Sequence, residues 1–229
     1  MNVTIDGKKT YDDWGLKLRS LIISLPEAKV NQVDIPGADG VIDLTDALGE
    51  IRYNNREIQM IFDISKPPES WHSLTSTIAN YLHGQRRKVI FDTDPGYYYI
   101  GRLSLLSEKS DYLTNQITIT GDMEPYKYEL YGGLDDWLWD SFSFKTGIIR
   151  NYKDLEVNGS RTVTIPGRRK PVVPAISSSA AMEVEWKGSR YSLVKGINKI
   201  YAISITEGEN TLIFYGSGTI SIDYRGGIL

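Results

Sequence analysis

The stretch 67–106, PPESWHSLTSTIANYLHGQRRKVIFDTDPGYYYIGRLSLL, decides the fold, because it places one amphipathic helix directly before a hairpin. Trp71, Leu74, Ile78, Tyr81 and Leu82 recur at three- and four-residue steps, while His72, Ser73, Ser76 and Asn80 fall on the other side. A stripe of this kind marks a helix that lays one face on a core. Pro67 and Pro68 are tolerated only at or before a first helical turn, and Gly84 can take the left-handed conformation that ends a helix. Beyond it, 88–91 and 97–103 read as strands joined by the tight turn Asp94-Pro95-Gly96. A single helix among strands needs a sheet to lie on.

Toward the N-terminus the chain alternates as a sheet does. Residues 16–25 form an apolar-rich run stopped by Pro26, and Val30 and Val33 precede the Asp/Gly-rich loop 34–40, after which Val41, Ile42 and Leu44 resume. Asn54-Asn55 supplies a hairpin turn before the clearest strand, Arg56–Ile64, in which Ile58, Met60, Phe62 and Ile64 alternate with Glu57, Gln59 and Asp63, and only Ile61 breaks the polar face. Toward the C-terminus, Ile117 and Ile119 mark a further strand, and Gly132-Gly133 introduces a flexible region. The domain boundary is expected there, giving 1–134 and 135–229. The second part reads as all-β, with strands at 162–165, 172–176, 182–186, 190–194, 200–205, 210–215 and 219–224. Short strands at this spacing suggest a sandwich. Gly216-Ser217-Gly218 reads as a strand connection.

Composition narrows the function classes. The chain has 229 residues, 41% hydrophobic and 24% charged, which is ordinary for a globular protein. No apolar run approaches the roughly 20 residues of a spanning helix, and the N-terminus carries no secretory signal, so membrane insertion is not expected. The absence of cysteine removes disulfides, thiolate metal sites and cysteine nucleophiles together. A formal net charge of -3 and short basic runs, Arg86-Arg87-Lys88 and Arg168-Arg169-Lys170, argue against stable nucleic-acid binding.

Catalytic candidates are poor. His72 and His83 lie eleven residues apart on the helix, too far to share a metal, and Asp34, Asp39, Asp43, Asp92 and Asp94 sit where turn chemistry explains them. Neither a catalytic, a metal nor a cofactor site is expected. Tyr97, Tyr98 and Tyr99 are consecutive in a strand and cannot form one platform. Trp186 with Tyr191 could present a carbohydrate face, with burial as the default.

Several motifs in order resemble a known family. Trp14-Gly15-Leu16, the segment from Ile35-Pro36-Gly37 to Asp43-Leu44, Tyr53-Asn54-Asn55-Arg56, Trp71 with Leu82-His83-Gly84, Phe91-Asp92-Thr93-Asp94-Pro95 and Tyr98-Tyr99-Ile100-Gly101-Arg102 are similar to the distal tail (Dit) protein family of long-tailed bacteriophages and prophages. Gly208-Glu209-Asn210, Gly216-Ser217-Gly218 and the close from Ile222-Asp223-Tyr224 to Gly227 resemble the end of its second domain. The resemblance implies a mainly β protein: an N-terminal β-barrel or sheet domain with one helix, forming a hexameric ring, and a galectin-like β-sandwich outside it. It further implies a structural hub in the virion, assembled in the host cytoplasm, between tail tube protein and tail-tip protein and surrounded by receptor-binding or accessory proteins. No active site follows from it.

A ring needs one face to complement another. The expected joint uses the strand or hairpin residues Arg56, Ile58, Met60, Phe62, Tyr98 and Arg102. An acidic channel that repels DNA would use Asp39, Asp43, Asp46 and Glu50. The competing expectation is a carbohydrate-binding module using Trp186 and Tyr191.

Overall fold

The computed structural model describes residues 2–47, 49–110, 115–132, 134 and 151–229. Backbone proximity divides the chain into two compact units, Met1–Asp94 with Tyr99–Pro125 and Leu229, and Pro95–Tyr98 with Tyr126–Ile228. The boundary expected between 134 and 135 abuts 135–150, which lie outside the described residues. The protein is mainly β, built from antiparallel sheets.

In the first unit the chain runs β1 (Val3–Ile5), β2 (Lys8–Lys9), α1 (Thr10–Trp14), β3 (Leu16–Ile23), β4 (Gln32–Asp34), β5 (Val41–Asp43) and β6 (Arg56–Ile64). It continues with α2 (Trp71–Leu82), β7 (Arg86–Phe91), β8 (Tyr97–Ser110) and β9 (Asn115–Met123). The main sheet is ordered β2-β1-β7-β8-β9-β6-β3, and β4 pairs with β5 alone. Period-2 alternation places Ile58, Met60 and Phe62 of β6 at zero exposure, in one core with Ile117 and Ile119 of β9.

The stripe on α2 meets the same core. Trp71, Ile78 and Leu82 are buried, and Leu74 and Tyr81 pack at its rim. Full burial of Ile78 and Leu82 contributes about 1.5–3 kcal/mol each. Trp71 Nε1 donates to the Lys66 carbonyl at 2.8 Å, just before the 3-10 turn Pro68–Ser70, and so fixes the helix start. At the other end the Ala79 carbonyl accepts the His83 N–H, and Gly84 takes φ 71. The short α1 is an element the periodicity does not signal, because five residues are too few to display a stripe.

The second unit contains β10 (Lys127–Glu129), β11 (Leu155–Gly167), β12 (Ala175–Ser178), β13 (Met182–Trp186), β14 (Ser189–Leu193), β15 (Gly196–Lys199), β16 (Gly208–Asp223) and β17 (Gly227–Ile228). Its main sheet has the order β14-β13-β16-β12-β15, with β11 also on β16. Within the same unit, β10 pairs with β17 and with Tyr97 and Tyr98 at the start of β8.

Three expectations change here. Gly216-Ser217-Gly218 is not a connection but the middle of β16, opposite Gly159, Asn158 and Val157 of β11. A Cβ on Gly216 would stand 2.7 Å from the Met182 side chain, so the glycine makes room for a core methionine. The strands expected at 210–215 and 219–224 are therefore one. The expected 200–205 strand is instead β15 at Gly196–Lys199, followed by a turn and a bridge from Ile205 to Val172. The expected 172–176 strand starts only at Ala175, after Pro174, which has no N–H to give a ladder.

Two buried asparagines explain that rearrangement. Asn198 Nδ2 donates to the carbonyls of Val194, Gly196 and Ile176, while its Oδ1 accepts the Val194 N–H. Asn210 repeats the pattern with Thr206, Gly208 and Ile165. Each side chain clamps a loop that enters a strand through a glycine of positive φ, Gly196 at 108° and Gly208 at 94°. Among the described residues no helix is long and apolar enough to cross a membrane.

Candidate interaction surfaces

The residues expected to join subunits separate into two groups. Ile58, Met60 and Phe62 are fully buried, and the backbone of β6 is paired on both sides, by β3 and β9. Their side chains serve the core of the first unit. Arg56 is 3% exposed, on the same face as these apolar neighbours. Its Nε donates to the Pro125 carbonyl at 2.9 Å, its guanidinium lies 5.5 Å from the Tyr99 ring, and its NH2 nitrogen is buried without a hydrogen-bond partner. Burial pulls its pKa below the ordinary guanidinium value.

Arg102 is exposed, donates to the Gly84 carbonyl, and borders a groove of about 360 Å³ with Glu57, Ser104, Thr120 and Asp122. Tyr98 is half-buried, 5.6 Å from the Tyr128 ring and 5.7 Å from the Arg225 guanidinium. Lys170 completes the stack, 4.2 Å from the Tyr128 ring and donating to its hydroxyl at 3.1 Å. Beneath it Glu129, 6% exposed, accepts Arg168 Nε at 3.0 Å and the Gly226 N–H at 3.1 Å. This cation and tyrosine cluster fixes β10 and β17, a role that the scattered sequence positions of its members do not announce.

The expected channel residues Asp39, Asp43, Asp46 and Glu50 are all exposed and share one excursion, 24–55, between β3 and β6. Only Pro26 is buried among its described residues. The ribbon is stitched by Lys29 N–H to the Arg52 carbonyl and Asn54 N–H to the Glu27 carbonyl, both 2.8 Å, and ends in the β4–β5 hairpin. Leu25, Val30, Val33, Ile35, Val41, Ile42 and Leu44 along it are 38% to 78% exposed. A two-stranded ribbon is marginal by itself, and exposed apolar side chains in such number mark an interaction surface. Asp43 has a local task as well, since hydrogen bonds from the Thr45 side chain and N–H hold its carboxyl below the ordinary value.

In the second unit Trp186 is 6% exposed, and Tyr191 is half-buried against the same core. Lys187 lies over the indole at 5.1 Å. A groove of about 420 Å³ borders Trp186, with Glu185, Glu209, Asn210 and Thr211 among its walls. His72 and His83 are not brought together as a site: His83 Nδ1 accepts the Leu105 N–H at 3.1 Å. Among the described residues no group of three or more histidines and carboxylates is placed to hold a metal ion.

No protein-family profile matches the chain, and no curated protein sequence does. A search of solved structures finds the Dit protein (gp 19.1) of phage SPP1, described as a paradigm of the hub adsorption apparatus in phages that infect Gram-positive hosts. The match covers 100% of this chain and 99% of that one, with a TM-score of 0.61 and 13% sequence identity. Across its whole length, this chain is similar in fold to SPP1 Dit.

Proposed function

We propose that this protein is a structural hub of a phage tail, a hexameric ring at the distal end of the tail tube. The observation that carries this reading is the end-to-end likeness to SPP1 Dit, which spans both units rather than one common module. In this reading residues 1–134 form the ring and 135–229 a galectin-like outer domain. Tail tube protein lies above, tail-tip protein below, and receptor-binding or accessory proteins attach around the ring. The exposed carboxylates of the 24–55 excursion suit a channel wall that repels DNA phosphates. The protein acts by assembly, in the virion, after folding in the host cytoplasm.

Light scattering across a concentration series, with negative-stain microscopy, tests the ring. The expected result is six times the mass of the 25.8 kDa chain, seen as rings with a central hole. A monomer at every concentration, with tube and tail-tip proteins present, would refute it.

Glycan binding is the second reading, favoured by the groove beside Trp186. Stacking on a sugar needs an open aromatic face, and Trp186 offers little of one, so the hub reading is the stronger. Glycan-array binding abolished by Trp186→Ala without loss of fold would reverse that order.

A further inference from the structure

The exposed large apolar side chains of the second unit are confined to one segment. Among its described residues they are Val194 at 64%, Ile197 at 76% and Tyr201 at 83%, all within eight positions. Apolar surface concentrated in this way marks an interaction site. The same stretch is cationic. Residues 187–206 carry Lys187, Arg190, Lys195 and Lys199 and no carboxylate, whereas the whole chain is at -3. Arg190 is paired with Glu183 and Glu185, while Lys195 and Lys199 are exposed and make no ion pair among the described residues.

The backbone beneath these side chains is a sheet edge. β15 ends the sheet order and pairs only with β12, which leaves its outer side without a partner strand among the described residues. Strand alternation puts Ile197 and Lys199 on one face, both exposed, and turns Asn198 inward. The Asn198 clamp on Val194, Gly196 and Ile176 holds one end of the segment, and the Ile203 N–H donating to the Ile200 carbonyl at 3.0 Å closes the turn at the other. The exposed residues therefore stand on a fixed frame, which spares a partner the cost of ordering them. Lysine on an edge strand deters unselected pairing, and an edge built for deterrence alone would be polar throughout. Ile197 and Tyr201 do not fit that purpose. With the two lysines they describe an edge that refuses most strands and accepts one.

We propose that β15 is the docking edge for an extended, acidic segment of a different tail protein, which adds to it as a strand. The incoming strand carries an apolar residue opposite Ile197 and a carboxylate two positions away, opposite Lys199, because side chains on one face of a ladder meet in directly opposed pairs. Lys195 offers a second charge contact at one end, and Tyr201 an apolar one at the other. Backbone hydrogen bonds along the edge supply affinity, and the lysines supply selectivity, since a neutral or basic strand would cover them without an anion. Two β15 edges brought together would set lysine near lysine, which disfavours self-pairing. The inference rests on the hub reading, which supplies the other chains, and adds to it the place and chemistry of one attachment.

Purified phage tails containing the full chain test it. Carbodiimide joins amines to carboxylates only where they touch, and the expected product links Lys195 or Lys199 to an aspartate or glutamate of a different tail protein. The amides of 197–199 should exchange with deuterium at least about tenfold more slowly in tails than in the isolated protein. Lys195→Glu with Lys199→Glu, and separately Ile197→Ser with Tyr201→Ser, change exposed side chains only, so the circular dichroism spectrum should match wild type. In tails assembled with either variant the linked protein should fall at least about tenfold in amount. Equal exchange in both states, a link only to another copy of this chain, or an unchanged protein complement in variant tails would overturn the docking edge and leave the hub reading standing. So would flotation of the isolated protein with phosphatidylglycerol vesicles that Ile197→Ser with Tyr201→Ser abolishes, since the surface would then serve a lipid. Absence of the chain from tails would overturn both.

Discussion

Replacing Asn210 with alanine should unfold the second unit far more easily than any exposed change near it. The side chain is 5% exposed. Its amide nitrogen reaches the carbonyls of Thr206 at 2.7 Å, Gly208 at 3.0 Å and Ile165 at 3.3 Å, and Oδ1 accepts the Thr206 N–H at 3.1 Å. Two amide hydrogens serve three carbonyls, so the side chain amounts to about three hydrogen bonds, each contributing about 1 kcal/mol net. A loss of about 3 kcal/mol follows, or roughly 10 °C or more in the melting temperature of a unit this size. Thr211→Ala, exposed and adjacent, should stay within about 0.5 kcal/mol.

Asn210→Asp separates shape from chemistry. It keeps the acceptor for Thr206 but turns an anion toward three carbonyl oxygens, which raises its folded-state pKa above the unfolded value of about 3.9. The folded state then binds more protons between those two values. Stability falls as pH rises through that window and recovers as pH drops below the raised pKa. Calorimetry on the full chain, with a separate transition for each unit, is the assay. A loss under about 1 kcal/mol for Asn210→Ala, or a pH-independent aspartate variant, would refute the clamp.

Asn198→Ala should reproduce the Asn210 loss, because the same four contacts recur, and urea unfolding will compare the two. Arg56→Met should change stability by less than about 1 kcal/mol in urea, since removing a buried, partly unsatisfied cation offsets the lost bond to Pro125, whereas Arg56→Ala adds a cavity and costs about 2–3 kcal/mol. Gly101→Ala should prevent soluble expression or lower stability by more than about 3 kcal/mol, because its Cβ would fall 2.1 Å from the Asp122 carbonyl oxygen across the β8–β9 ladder. Asp13 has its pKa lowered below 3.8, chiefly by accepting the Lys9 N–H, so the protection of that amide in hydrogen exchange should be full above about pH 4 and lost as pH falls through the lowered value. Asp13→Asn should remove that pH dependence.

Much of the first unit was legible because its elements are periodic. α2 announces itself by its stripe, and β6 by an alternation that only Ile61 interrupts, with bounds at Arg56 and Ile64. The same alternation, followed one step back, puts Arg56 in phase with Ile58 and so on the buried face; a charge at the start of a strand invites the opposite reading. From sequence β16 reads as two strands because two glycines close together usually mark a turn, and the methionine that needs their space lies 34 residues before Gly216. The clamps leave a faint trace in the sequence, the repeated Gly-X-Asn of Gly196-Ile197-Asn198 and Gly208-Glu209-Asn210, too short to announce a buried side chain. Exposure of the 24–55 excursion could not be read at all. Val33, Val41 and Ile42 have the pattern of half-buried strands, and burial depends on whether another layer arrives to cover them.

β16 also sets a clock. It is the common neighbour of β11, β12 and β13, and its longest ladder runs back to residues 155–167. During synthesis the second unit can therefore form its β13–β14 and β12–β15 pairings, but nothing that joins the two until residues 208–223 have emerged. Pairings across such sequence distances are slow to close, and strand edges waiting for them are open to the wrong partner. At high expression the wrong partner is most often another unfinished copy of the same chain. Yield in the host should accordingly depend on temperature and expression rate more steeply than the finished fold's stability would suggest.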